Sequence, residues 1–166
     1  MGEHLTVKAP IDGFKEKLAG KFWIEVTDPD GTVRRSETPN LIVDNGIKRL
    51  GDILAAVEAT NISLGYIEPG SSATAPAPTD TDTGSALTPA DRLPSTLSRN
   101  SVSPFDVTVS AFISSTKYTR PQTIRELCVF FPPDETGTMF ARGVLVTPIT
   151  LNSGSTATIS YGIIFR

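Results

Sequence analysis

Polar and apolar residues alternate along much of residues 107–166, and that alternation predicts a sheet. In the closing run Ala157, Ile159, Tyr161, Ile163 and Phe165 occupy every second position, with Thr158, Ser160 and Gly162 between them. A period of two marks a strand with one buried face, because successive side chains point to opposite sides of a sheet. Val107, Val109, Ala111 and Ile113 repeat the pattern against Thr108 and Ser110. Leu127, Val129 and Phe131 predict another strand, and residues 140–146 one more. Short strands separated by turn residues predict antiparallel pairing.

Earlier in the chain, residues 22–27 alternate aromatic and branched side chains and predict a strand. Asp28-Pro29-Asp30-Gly31 then forms a turn, since proline presets φ and glycine accepts the left-handed position. Residues 32–38 return as the partner strand with Arg34, Arg35 and Glu37 exposed. Beyond Asp44 the period changes: Ile47, Leu50, Ile53, Leu54 and Val57 lie near a 3.6-residue spacing, which predicts a short helix capped by Asp44 or Asn45. Gly51 weakens that helix by up to about 1 kcal/mol relative to alanine, so its formation depends on packing. Lys48 and Arg49 fall on its solvated side. Residues 62–65 predict a short strand.

Two stretches lack periodicity. Residues 66–104 are rich in Pro, Ser and Thr and predict a long surface loop, pinned by Leu87 and Leu93, with strand pairing near 91–98. Residues 1–20, broken by Pro10 and Gly13, predict an extended N-terminal arm whose apolar contacts are Phe14 and Leu18. The expected fold is mainly β: an antiparallel β-sandwich, jelly-roll or Ig-like, over residues 21–166, with one short helix.

Composition narrows the function classes. A chain of 166 residues buries enough surface for one core, and 13 glycines with 13 prolines suit a turn-rich β body. The net charge of −3 offers no general attraction for nucleic acid. One cysteine, Cys128, rules out an intrachain disulfide, and its apolar neighbours predict burial. One histidine, His4, leaves no zinc-ligand set. Asp80 and Asp82 resemble part of a calcium loop that lacks its closing glutamate. No stretch has the length of a membrane helix or the form of a signal peptide, so a soluble, cytoplasmically made protein is expected.

Catalysis needs a polar group tuned by a neighbour, and the sequence shows no nucleophile elbow, no phosphate-cradling loop and no base beside a serine. Glu126 follows Arg125 and predicts a local ion pair. The expectation is no enzyme activity, no catalytic residues, no cofactor and no metal.

The order of several motifs resembles a group of small tailed-bacteriophage virion proteins. The motifs are the turn Asp28–Gly31, Asn40-Leu41-Ile42-Val43 leading to Gly46, Ile62-Ser63-Leu64-Gly65 and the Ala/Pro-rich residues 73–78. Ile124-Arg125-Glu126-Leu127, Phe140-Ala141-Arg142 and residues 156–165 complete the series. The resemblance covers the chain from about residue 20 onward. It implies a virion structural protein, most concretely a capsid decoration (cement) protein bound to the major capsid protein as a homotrimer. A fibre protein usually continues into a shaft and tip, and the absence of either from the sequence favours decoration; a tail, neck or baseplate component or fibre adaptor is the alternative. A third reading is a virion carbohydrate-binding module stacking sugars on Trp23, Tyr66 or Tyr118. The candidate interface residues are therefore Phe14, Leu18, Trp23, Tyr66, Leu87, Leu93 and Tyr118.

Overall fold

The period-two runs become antiparallel strands of one strongly curled sheet. The computed structural model describes residues 18–54, 63–88, 92–100, 106–118, 121–132 and 137–165. Among them are nine strands: β1 Leu18–Thr27, β2 Val33–Pro39, β3 Leu41–Ile42, β4 Tyr66–Gly70, β5 Leu93–Asn100, β6 Asp106–Ile113, β7 Gln122–Phe130, β8 Met139–Leu151 and β9 Thr156–Phe165. One helix, α1, spans Asp44–Leu54. The strand order is β2-β1-β9-β6-β5-β4-β7-β8-β3, and every neighbouring pair is antiparallel. β5 turns the corner, pairing with β4 at Leu93 and Pro94 and with β6 from Ser95 onward.

The concave side holds the core. Phe22, Ile24 and Val26 of β1, Val109, Ala111 and Ile113 of β6, and Ala157, Ile159, Tyr161 and Ile163 of β9 are buried there, as their alternation predicts. Tyr161 stacks near Phe22 with ring centroids 4.6 Å apart and meets Phe140 edge-on. Its hydroxyl accepts a hydrogen bond from Asn40 Nδ2 at 2.9 Å, so the one polar atom of a fully buried ring is satisfied. Burial, opposed by that bond, pushes the phenol pKa up.

The curled sheet nearly closes where β2 approaches β8. No backbone ladder joins them. Instead Ser36 Oγ donates to the Thr147 carbonyl at 2.6 Å, Thr38 Oγ1 to the Val144 carbonyl at 2.7 Å, and Arg34 Nη2 to the Thr150 carbonyl at 2.7 Å. These carbonyls flank a place where β8 slips register against β7, between Ile124 and Glu126. Polar residues thus occupy the inward positions of β2 because they seal a seam rather than fill a core.

The Asp28–Gly31 turn forms as expected, with Gly31 at φ 85°. Asp28 accepts from Arg34 Nε at 2.7 Å, and it also takes Ser155 Oγ at 2.6 Å and Asn152 Nδ2 at 3.1 Å from the β8–β9 turn. The Arg34 bond, then that of Ser155, holds its carboxyl well below the usual carboxylate range. Two turns at one end of the sheet are tied together by one carboxylate.

Helix α1 lies against β8, where Gly46 meets the backbone of Phe140 so closely that a Cβ has no room. Leu50 and Ile53 pack against the core as the stripe requires, and Lys48 pairs with Asp52 on the exposed side. Val57 lies outside the described residues.

Three expectations change. Residues 63–65 are not strand: β4 begins at Tyr66, one residue after Gly65 donates its N–H to the Phe130 carbonyl at 3.0 Å. Pro69 is tolerated inside β4 because the β4–β5 ladder ends at Ile67; on that side its carbonyl accepts the Leu87 N–H at 3.4 Å, so the N–H it lacks removes no bond of the β4–β7 ladder. The stretch 66–104 is not one loop but β4, β5 and a shorter segment, 71–88, without regular structure except a bridge between Gly70 and Ala86. Finally, Leu18, Ala19 and Gly20, assigned to the arm, open β1 opposite Phe165, Ile164 and Ile163.

Candidate functional site

Charged residues embedded in apolar strands are the first place to look for chemistry. On the convex face of β4, β7 and β8, alternation places Glu68, Glu126, Cys128 and Arg142 side by side. Glu126 is 0% exposed and Arg142 is 3% exposed. Arg142 Nε donates to Glu126 Oε2 at 2.7 Å, its Nη1 to Asp80 Oδ2 at 2.7 Å, and its Nη2 to the Thr74 carbonyl at 3.1 Å. The other lone pairs of Glu126 accept backbone N–H groups from Ser72 at 3.1 Å, Gly84 at 3.1 Å and Ser85 at 2.8 Å. Five partners from residues 72–85 therefore close over one buried ion pair. Glycine is required at residue 70, because a Cβ there would meet the Glu126 carboxylate.

A second pair extends the network. Thr83 Oγ1 donates to Glu68 Oε2 at 2.5 Å, and Arg92 Nε lies 3.7 Å from the same oxygen. Arg92 also reaches Asp82 Oδ1 at 3.3 Å and the Gly137 carbonyl at 3.2 Å, with its guanidinium 3.6 Å above the Phe130 ring. Burial raises the Glu68 pKa, and the Thr83 and Arg92 contacts only partly offset it. For Asp80 burial is outweighed by the Ala77 N–H and by Arg142, so its pKa falls. Burial pushes the Cys128 thiol far up, which keeps it protonated and non-nucleophilic. Both aspartates of the calcium-like stretch are spent on arginines, and among the described residues no cluster of acids, histidines and cysteines has metal-ligand geometry.

What this arrangement does is hold residues 71–88 onto the sheet. Three motifs of the resemblance, the Ala/Pro-rich segment, Ile124–Leu127 and Phe140–Arg142, meet in it. Glu126 pairs with Arg142 across the β7–β8 ladder, not with its neighbour Arg125 as sequence adjacency suggests, because consecutive residues of a strand point to opposite faces.

The other half of the convex face carries no such cover among the described residues. Register sets out two transverse rows there: Glu37, Trp23, Ser160, Ser110 and Thr96, then Arg35, Glu25, Thr158 and Phe112. Trp23 is 36% exposed and Phe112 60%. The Trp23 indole lies over Gly162, where a Cβ would stand 3.0 Å from Cζ3 and 3.2 Å from Cη2. Beside it Ser110 and Ser160 share a hydrogen bond of 2.9 Å, Arg35 Nε donates to Glu25 Oε2 at 2.6 Å, and Lys21 pairs with Glu37 at 2.6 Å. A shallow depression is lined by Trp23, Glu25, Arg35 and Glu37.

The candidate interface residues do not form one surface. Trp23 points outward. Leu87, Leu93 and Tyr118 are buried in the core of the chain itself, so they pin the fold and cannot offer side chains to a partner. Tyr66 is half-buried against the small cluster of Val43, Cys128, Phe130 and Met139, away from Trp23. Leu18 contributes its backbone to β1, and Phe14 lies outside the described residues. Sequence reasoning missed Phe112, although an aromatic among the outward positions of β6 is itself the signal. It also missed the Glu126–Arg142 pair, announced by opposite charges in two otherwise apolar runs. Comparison with protein-family models, with curated proteins and with solved structures finds no match for this chain.

Proposed function

We propose that this chain is a structural protein of a tailed-bacteriophage virion, and specifically a capsid decoration protein that binds the major capsid protein as a trimer. The observation that carries the reading is the convergence of the resemblance motifs on the buried Glu126–Arg142 network. That network makes residues 71–88 part of the rigid body. A segment already ordered before binding loses little conformational entropy on docking, which suits a protein repeated over a lattice. The curled antiparallel sheet is compatible with a sandwich of jelly-roll or Ig-like type, and a trimer matches local threefold positions by analogy with such bodies.

The test is quantitative mass spectrometry of purified virions carrying this chain. A ratio to the major capsid protein approaching one supports decoration. A ratio of a few per cent transfers the chain to the tail, neck or baseplate. Deleting residues 1–17, which stops short of β1, is expected to leave a folded protein that no longer binds shells. Unimpaired shell binding by the truncated chain removes the arm from the mechanism.

A further inference from the structure

We propose that the convex face of β1, β2 and β9 around Trp23 is a saccharide-binding site, with the indole as the platform for one pyranose ring. This goes beyond the virion reading and does not rest on it. The first observation is how the indole is held. A strand interior normally gains from a β-branched or aromatic residue, yet β9 has glycine at position 162. A side chain there would crowd Cζ3 and Cη2 of the Trp23 ring, so the glycine lets the indole lie over the neighbouring strand. The indole is thus held against the sheet while Trp23 remains 36% exposed. Such a platform offers stacking area without ordering a mobile side chain first.

The second observation is the rim. Around the indole stand Glu25 and Lys21 on its own strand, Glu37 and Arg35 on β2, and Ser160 on β9. Trp23, Glu25, Arg35 and Glu37 together line one depression. A pyranose has an apolar face of C–H groups and an edge of hydroxyls that both donate and accept. The indole matches the first, by dispersion and weak C–H contacts with the ring. Carboxylates that accept, and a guanidinium that donates from several N–H groups, match the second. The Glu25–Arg35 and Lys21–Glu37 pairs balance each other's charge, so the rim recognises neutral hydroxyls without demanding a charged ligand. A second copy of the chain or a charged polymer has no comparable fit: this face lacks the continuous apolar core of a protein interface, and its charges are already paired.

The chain's single tryptophan makes the test direct, because intrinsic fluorescence reports on this site alone. The purified full chain is titrated with neutral hexose and N-acetylhexosamine oligosaccharides, and the same set is presented on a glycan array. The expected result is a saturable change in tryptophan emission with at least one saccharide, and array binding by the same one. Trp23→Ala should abolish array binding, and Glu25→Gln should weaken it by about tenfold. Gly162→Val, with its fold checked by circular dichroism, should abolish binding by displacing the indole while Trp23 itself is retained. A flat titration with a flat array overturns the proposal. So does an emission change that depends on protein concentration alone, which identifies the face as a contact between copies. Undiminished binding by folded Gly162→Val overturns it as well.

Discussion

Taking the guanidinium from Arg142 would leave Glu126, with no exposed surface, as an unneutralised carboxylate beneath residues 71–88. Breaking a buried pair by removing one partner is expected to destabilise a protein by about 3–5 kcal/mol, more than the intact pair contributes over an apolar replacement. Arg142→Met should therefore lower the urea midpoint strongly. Adding Glu126→Gln to it should recover part of the loss, because the buried side chain is then neutral and its amide oxygen still accepts the Ser72 and Ser85 N–H groups, although Gly84 N–H loses its acceptor. A double variant as unstable as the sum of its singles would show that the two residues do not act as a pair. Glu68 and Asp80 predict opposite pH dependences within the same network. The Asp80 pKa is lower in the folded state, so its contribution is present above the unfolded carboxylate value and lost as pH falls through the folded one. Glu68 is raised by burial, against Thr83 and Arg92 and with Asp82 and Glu126 nearby, so its ionisation reduces stability as pH rises from the unfolded value through the folded one. Asp80→Asn should destabilise at pH 7 and converge with the parent as pH drops below about 4. Glu68→Gln should be neutral or stabilising at pH 7 and converge with the parent as pH falls from the raised folded value to the unfolded one, a range above that in which Asp80→Asn converges. Urea unfolding at the two pH values checks both, and a destabilised Glu68→Gln at pH 7 would mean that its Arg92 and Thr83 contacts outweigh burial.

The elements that were legible in the sequence are those with one wet face. β1, β6, β9 and α1 each bury a single stripe against the core, so their periodicity survives translation into burial. β7 was legible only in part. Leu127, Val129 and Phe131 follow the rule, but Glu126, Cys128 and Phe130 on the opposite face are equally buried, because residues 71–88 close over Glu126 and Arg92 lies over Phe130. No alternation can report a cover supplied by another part of the chain. β4 was displaced for a related reason: Pro69 and Gly70 carry turn signals, and only the edge position of Pro69 beyond the β4–β5 ladder and the approach of Glu126 to Gly70 make them acceptable in a strand. β2 shows a third kind of departure. Arg34, Ser36 and Thr38 stand where apolar residues would be expected, and each is spent on a β8 carbonyl. The seam is therefore a chain of side-chain hydrogen bonds. Ser36→Ala with Thr38→Val should cost about 1 kcal/mol per bond removed. Hydrogen exchange should quicken in β2 and around Val144 and Thr147 but not in β9, which keeps both ladders. Uniform acceleration across the sheet would mean that the seam is coupled to global unfolding and does not open on its own.

At the scale of the whole molecule, the first and last described strands are neighbours, and this adjacency was not visible in the sequence. Period-two patterning marks strands but carries no information about which of them pair across the full length of the chain. Leu18 lies opposite Phe165, and the ladder runs unbroken to Thr27 opposite Thr156. Joining β1 to β9 thus closes nearly the whole polypeptide into one loop. Loop-closure entropy grows as about (3/2)RT ln n, which for a loop of roughly 130 residues is about 4 kcal/mol, against about 2 kcal/mol for a linker of roughly six. A circular permutant tests whether that difference governs folding. Residue 165 would be joined to residue 18 by such a linker, with new ends opened at Ser115 in the exposed turn after β6. That site cuts no hairpin, because β6 pairs with β5 and β9 while β7 pairs with β4 and β8. If β1–β9 pairing is part of the folding barrier, stopped-flow refolding should accelerate by about tenfold or more, with the unfolding rate little changed, since the native contacts are the same. An unchanged refolding rate with slower unfolding would instead place the closure of β1 onto β9 after the barrier, and the nucleus would then lie among the locally connected strands β7 and β8.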